Sequence, residues 1–560
     1  MAVARDHCMP YDHGHPARQP PPVRCPDPIG EEPPLAERGS PDGISRRRLL
    51  SGLGGLAIAT PMLIRSDTPA LVTTPDEAGA PVPEQVHLQF GADASSQMAV
   101  SWAAPRRVAG PVVRLGMPGY GFGSEIPAEE RVYTDALTGQ TVFTYHAVLP
   151  NLTAHTRYDY QVTHRGAPAP LGGSFRTAPR GRSKGFRFTS FGDQAIPTKV
   201  GRGLGPVTPN AGYVVDAVNG LEPLFHLLNG DLCYANVSDD PPATWRAFFL
   251  NNQRSARDRP WMPCLGNHEN EIGNGPQGFL SYRTRFTLPD NGSREFAGNW
   301  YAFTVGPIRV ISISNDDVCL QDGGFNPYLR DNLPGYRSRG YDPYIRGYSS
   351  GAQKAWLERT LRAAGTDLAI DWIIVCMHQV AMSSAHYNGA DLGIRRELLP
   401  LFDQYGVDLV VAGHEHHFER TFPVKGVLPG TSLLTPAPQA TDRSVMDTTK
   451  GAVHMTIGGG GQPNTTPRYA FDRPYDGVVL YDVGPGDPQR RHEPFTTTEP
   501  APWSAYRDLQ RPYGFAAFDV EPQVPGGLTQ ITVTHYGARL GSPDYRELDR
   551  FILRKPLRRP

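Results

Sequence analysis

Between residues 186 and 461 the chain carries seven continuous apolar runs, each bounded by Gly, Asn or Pro. They are FRFTSFGD to Asp193, LFHLLNGD to Asp231, MPCLGNH to His268, IRVISISND to Asp316, WIIVCMH to His378, LVVAGHEH to His416 and AVHMTIGGGG to Gly461. Short unbroken apolar runs closed by turn residues fit strands buried on both faces. Between them, Gln353–Ala364 and Ile394–Gln404 carry helical spacing, with Trp356, Leu357 and Leu361 on one stripe and Ile394, Leu398 and Phe402 on the other. An α/β domain is expected. Five of the seven runs lead directly into residues of metal-ligating type: Asp193, Asp231, Asn267, His378 and the His414/His416 pair. An open α/β sheet presents its strand ends to one crevice. Five polar ends at buried edges would each need a partner, so packing alone explains them poorly.

Taken singly, Asp193, Asp231 and Asn267 read equally well as turn residues, while for His378 a buried histidine is the lesser alternative. Gly413-His414-Glu415-His416 is more specific. Two histidines at i and i+2, on a turn that a glycine frees, can point into one site, and neutral imidazole is a common ligand of Zn, Fe and Mn. Glu415 and His417 are expected to face away. With Tyr234 the candidate set is Asp193, Asp231, Tyr234, Asn267, His378, His414 and His416, seven side chains for two ions with one bridging carboxylate. Two metals clamp the attacking and leaving oxygens of a phosphoryl displacement. Mixed O and N ligation without thiolate suits hard or borderline ions and excludes a sulfur-rich structural zinc site.

The blocks FGDQA, GDLCY, GNHE, VCMH and GHEH, followed by VHMTIGGGG, fall in the order GD, GDxxY, GNHE, VxxH, GHxH, which resembles the purple acid phosphatase branch of the metallophosphoesterases. General metallophosphoesterases open with DxH, where this chain has Asp193-Gln194-Ala195 and offers Tyr234 after Asp231 instead. The resemblance implies a metallophosphoesterase sandwich of α/β (α+β) class. It implies Fe(III) on Asp193, Tyr234 and His416, Asp231 bridging, and a divalent ion (Zn, Mn or Fe) on Asn267, His378 and His414. His268 then corresponds to the family's substrate-binding histidine and proton donor to the leaving alkoxide. A second-shell orienter is the blander reading of His268. Plant members place two adjacent histidines after the equivalent of His378, where this chain has His386-Tyr387, so only His386 remains as a further phosphate-binding donor. The implied activity is hydrolysis of small phosphate monoesters through a metal-bound hydroxide by an exported phosphatase. Three alternatives stand beside it: a phosphodiesterase using the same site, which the missing histidine favours; an exported alkaline phosphatase of the D type, whose DDHE differs from Asn267-His268-Glu269; and a binding protein with a dead site, against which the complete ligand set counts.

The flanks are of a different kind. From residue 83 to 179 the sequence alternates in short runs at 86–90, 98–102, 145–149, 158–162 and 174–177, a β-sandwich pattern. PEQVHLQF, VSWAAP, LPNLTAHTRYDYQV and SFRTAP resemble the fibronectin type III module that precedes the catalytic domain in larger purple acid phosphatases. Residues 178–185 read as a linker and 185–560 as the catalytic domain, with closing strands at 514–520 and 529–534. The Tyr-rich insertion 327–349 reads as a loop that could overhang the site. The basic tail Arg546 to Arg559 reads as a solvated end rather than a binding patch. Glycine and proline, 60 and 56 residues, are nearly twice as frequent as ordinary usage, which suits loop-rich β structure.

Upstream, residues 1–44 lack periodicity and read as a disordered extension. Ser45-Arg46-Arg47-Arg48-Leu49-Leu50 and the apolar stretch to Ile64 resemble a twin-arginine signal, with residues 45–80 as signal and linker. The stretch is shorter than the ~20 residues that span a bilayer. A secreted, periplasmic or cell-wall-associated mature protein without a membrane anchor is therefore expected. Lys+Arg 55 against Asp+Glu 56 offers no general attraction to polyanions, so no stable nucleic-acid partner is expected. Six cysteines without a CxxC pair are too few for a disulfide scaffold and suit buried thiols or one late disulfide. The N-x-S/T sequons at Asn151, Asn236, Asn291 and Asn464 are read as chance.

Overall fold

The computed structural model describes residues 75, 77–199, 206–275, 277–320, 348–385, 387–466, 476–483 and 494–558. The extension 1–44, most of the 45–80 signal, His386 and nearly all of the 327–349 insertion lie outside the described residues.

The first eight strands form two four-stranded antiparallel sheets. One has the order Glu84–Phe90, Met98–Ala104, Thr141–Leu149, Glu129–Thr134; the other Phe122–Pro127, Val112–Gly116, Arg157–Thr163, Leu171–Arg176. Alternation buries Val86, Leu88, Phe90, Val100, Val162 and Phe175, with Trp102 and Tyr145 packed at 5.8 Å. Each of the five alternating runs lies in or overlaps a strand. The strands Val112–Gly116, Phe122–Pro127 and Glu129–Thr134 escape a pattern search because they are largely exposed or only half-buried, so few of their positions must be apolar.

Two seven-stranded sheets follow. The first has the order Trp261–Pro263, Phe225–Leu228, Phe186–Phe191, Tyr513–Val524, Leu528–Ala538, Arg546–Pro556, Val445–Asp447. The second has the order Tyr301–Val305, Ile308–Ser312, Trp372–Cys376, Leu409–Ala412, Val453–Ile457, Phe418–Thr421, Ser504–Asp508. Six of the seven apolar runs contain a strand and MPCLGNH overlaps one. The strands leading to candidate ligands run parallel to one another within each sheet: 186–191, 225–228 and 261–263 in the first, 372–376 and 409–412 in the second. Their C-terminal ends meet where Gly192 N–H donates to Ile457 O at 2.8 Å and Asn229 Nδ2 donates to Ala412 O at 3.3 Å. Helix Ala352–Thr366 buries Trp356, Leu357, Leu361 and Ala364. The second expected helix is two, Leu392–Glu397 and Leu399–Tyr405, because Pro400 cannot donate into a continuous ladder.

Two expectations change. The basic tail is not a solvated end: Arg546–Pro556 pairs along its length with Leu528–Ala538 as a third closing strand, and Lys555 Nζ, buried, lies 2.6 Å from Asp408 Oδ1. Strand alternation, not charge count, decides where those basic residues point. The connection 178–185 is pinned rather than loose, since the Arg182 guanidinium grips the buried Asp371 carboxylate at 2.6 and 2.7 Å. Cys233, Cys264 and Cys376 are buried free thiols, and Cys319 is buried.

Candidate metal centre

The turns after the strands carry the chemistry, and they are strained. Asp193, Asp231, Tyr234 and His414 all have left-handed backbones, with φ of 59, 51, 58 and 70°. For non-glycine residues each such conformation costs on the order of 1 kcal/mol or more and persists only where neighbours enforce it. The enforcement is visible. His414 N–H donates to Asp193 Oδ2 at 2.8 Å, and Asp193 N–H donates to Gly230 O at 3.1 Å. Buried Glu269 accepts from the N–H groups of Asp231, Leu232 and Gly266 at 2.9, 2.8 and 2.8 Å.

The strain aims the side chains into two adjacent groups. In the first, Tyr234 Oη lies 3.0 Å from Asp193 Oδ1 and 3.3 Å from His416 Nε2, and His416 Nε2 lies 3.2 Å from Asp193 Oδ1. In the second, His378 Nε2 lies 3.1 Å from Asp231 Oδ2 and 3.3 Å from His414 Nδ1. One ligand atom from each of Asp231, His378 and His414 falls within 4.8 Å of the others. Asn267 follows Gly266, whose Cα lies so close to Asp231 and His378 that an added Cβ would collide with both.

Outer partners set the imidazoles. His378 Nδ1 is 2.7 Å from Asn229 O and His416 Nδ1 is 2.5 Å from Asn464 O. A carbonyl only accepts, so each Nδ1 holds the hydrogen and each Nε2 is left to face the group, the usual arrangement of metal-ligating histidine.

Electrostatics and donor chemistry both fit a cation. Burial opposes charge on His378, yet Asp231 and Asp193 outweigh it and lift its pKa to about 10. His416 rises for the same reason, through Asp193. Burial would raise Asp231, but His378 and His268 hold it far below the usual carboxylate range. Burial and then the Asp193 and Asp231 carboxylates push the Tyr234 phenol up. A pocket with these carboxylates attracts positive charge. Asn267 Oδ1 is buried without a hydrogen-bond partner, an acceptor a cation would satisfy, and the donors are O and N atoms suited to borderline ions.

His268 sits at the open edge. Its ring lies 4.5 Å from that of Tyr234, its main-chain N–H donates to Asp231 Oδ1 at 2.9 Å, and its Nε2 is 3.9 Å from Asp231 Oδ2. Glu415 does turn away. It accepts from the N–H groups of Asn388 and Gly389 at 3.1 and 2.7 Å and from Thr466 Oγ1 at 3.0 Å, which pins the segment carrying Tyr387. Tyr387 lies 5.9 Å, ring to ring, from His416. His417 also turns away, its Nε2 3.5 Å from Glu419. Sequence reading missed the structural work of Glu269, Asn229 and Glu415. The only signal was their place inside the NGD, GNHE and GHEH blocks.

Parallel strand ends from two sheets, gathered around an O and N donor set, define a metallophosphoesterase. A model of the purple acid phosphatase N-terminal domain matches residues 83–189, and a model of the calcineurin-like phosphoesterases matches residues 210–418. An uncharacterized protein of Mycobacterium tuberculosis is 47% identical over 538 residues, 92% of this chain and 97% of that one. Human acid phosphatase type 7 is 26% identical, covering 72% of this chain and 85% of its own, and a purple acid phosphatase of Glycine max is 26% identical, covering 72% and 80%. The purple acid phosphatase from yellow lupin seeds shares the fold, with a TM-score of 0.59 at 20% identity over 85% of this chain and 75% of that one. The chain belongs to the purple acid phosphatase family and is a phosphoric ester hydrolase.

Proposed function

We propose that the chain hydrolyses phosphate monoesters at a dinuclear centre, with Fe(III) held by Asp193, Tyr234 and His416, a divalent Zn, Mn or Fe held by Asn267, His378 and His414, and Asp231 between them. The observation that carries this reading is the division of the strand-end side chains into two adjacent groups, tied together where His414 N–H meets Asp193 Oδ2. When bound, the ions supply Lewis acidity and an activated water. The chain's own residues do the rest. The Asn229 and Asn464 carbonyls keep His378 and His416 in the ligating tautomer. Glu269 holds the Asp231 and Gly266 turns against each other. His268, partly exposed at the edge, gives a proton to the leaving alcohol oxygen, and His386 serves as a second donor to the phosphoryl group. The Arg46-Arg47 signal supports export by the twin-arginine route.

The test is metal analysis and a visible spectrum, with hydrolysis of p-nitrophenyl phosphate and its bis-ester, for the native chain and for Asp231→Asn and His414→Ala. Two ions, a broad tyrosinate-to-iron band and faster monoester turnover are expected, with metal and turnover lost in both variants. Full metal content and retained hydrolysis in the variants would overturn the ligand assignment. Faster diester turnover would give the same site to diesters.

A further inference from the structure

Asn236 heads one of the N-x-S/T sequons, and the structure puts its side chain at the site. Tyr234, with φ 58°, turns the chain into the short 3-10 segment Ala235–Val237. This brings Asn236 Oδ1 to 2.9 Å from His268 Nδ1. The 2.9 Å bond to Asp231 Oδ1 is made by the main-chain N–H, and the Tyr234 ring lies against the imidazole, tilted by 51°. The His268 side chain is 28% exposed. An amide oxygen accepts and cannot donate. Bound to it, Nδ1 must carry a hydrogen, and Nε2 is turned to the Asp231 side of the pocket, 3.9 Å from Oδ2.

We propose that Asn236 is a positioning residue, which holds the His268 imidazolium with Nδ1–H bound, so that Nε2–H faces the leaving-group oxygen and its transfer leaves the neutral Nδ1–H ring. The inference rests on His268 being the proton donor. It makes a prediction that depends on the leaving group. p-Nitrophenolate departs without a proton, whereas a simple alkoxide needs one. Loss of one hydrogen bond that orients the donor, worth about 1 kcal/mol, therefore slows alkyl esters and spares nitrophenyl esters.

The experiment compares the metal-loaded native protein with Asn236→Ala, Asn236→Asp and His268→Gln, on p-nitrophenyl phosphate and n-propyl phosphate. For Asn236→Ala, kcat on the alkyl ester should fall roughly fivefold to tenfold, while KM, kcat on the nitrophenyl ester and metal content stay at native values. Asn236→Asp keeps the acceptor and should restore the alkyl rate. A second readout is 15N NMR of histidine-labelled, zinc-loaded protein, with the His268 resonances identified by their absence in His268→Gln. Where the ring is neutral, Nδ1 should be protonated in the native and Asp variants, and the tautomers mixed in the Ala variant. An equal fall on both esters, or lost metal, would overturn the proposal in favour of a structural role. An unchanged alkyl rate with an unchanged tautomer would remove the role altogether. If His268→Gln leaves the alkyl-to-aryl ratio at its native value, the proton-donor reading fails, and the NMR result still decides whether Asn236 orients the ring.

Discussion

Gly413→Ala should disable the proposed metal site although the backbone there suits any residue. The positive φ in the GHEH turn belongs to His414, at 70°, and Gly413 is not in the left-handed region. The glycine is required for its missing Cβ. An alanine Cβ would press into Asp193 Oδ2, and would lie 2.7 Å from Asn229 O and 3.1 Å from His378 Nδ1. Ordinary contacts to carbon are about 3.5 Å or longer. The Asn229 carbonyl has little room, because it accepts from His378 Nδ1. The Asp193 carboxylate must yield, by roughly 1 Å, and it takes the His414 N–H bond with it. Overpacking of this size costs about 1–3 kcal/mol of stability, and a 1 Å misplacement of catalytic groups costs on the order of 100-fold in rate. Metal content by mass spectrometry, kcat/KM on p-nitrophenyl phosphate and thermal denaturation should show partial metal loss, a fall of about two orders of magnitude and a lowered Tm. Gly365→Ala is the control. It lies in the helix Ala352–Thr366, where an added Cβ meets only Tyr405 O at 3.4 Å, so up to about 1 kcal/mol of stabilisation is expected. A fully loaded Gly413→Ala with native kcat/KM would refute the close-approach reasoning.

Lys555→Ala should destabilise the fold by roughly 3–5 kcal/mol, because it strands the buried Asp408 carboxylate with only Thr448 Oγ1 and Ile373 N–H as donors; a melting temperature within 1 °C or so of native would show the pair to be dispensable. Stability should also fall with acid. Burial lowers His454 and His535 to about 3, below the ordinary value near 6.5, so the unfolded chain binds more protons than the native one across that window. Stability is present in full above pH ~6.5 and is lost progressively towards pH ~3, by roughly 2 kcal/mol per histidine at pH 5. Urea unfolding from pH 7 to 4, repeated in His535→Phe, should show a shallower slope in the variant.

Much of the fold was readable because its signal is local. A parallel strand buried on both faces must be apolar throughout, and a strand end at a crevice must change abruptly to polar residues, so the seven catalytic runs stand out. The strands missed are those with weaker obligations. Phe122–Pro127 is mostly exposed, and Arg546–Pro556 is half-buried, with Arg546 and Arg550 exposed and Lys555 buried. Gly413 was legible as a necessary glycine, but for the wrong reason: a turn was inferred where a close approach operates. Asn236 read as a chance sequon, because nothing next to it along the chain announces an imidazole.

The order of ligand types along the chain, and the strand that delivers each, are matters of adjacency, and the amino-acid sequence holds them completely. Which ligand stands beside which is a matter of sheet register and strand order. Tyr234 meets His416 across 182 positions, and His414 meets the Asp193 carboxylate across 221. Hydrophobic burial is non-directional. The apolar runs therefore say that two sheets pack, and the hydrogen-bonded ladders and the strained turns at their ends then set the two groups of donors face to face.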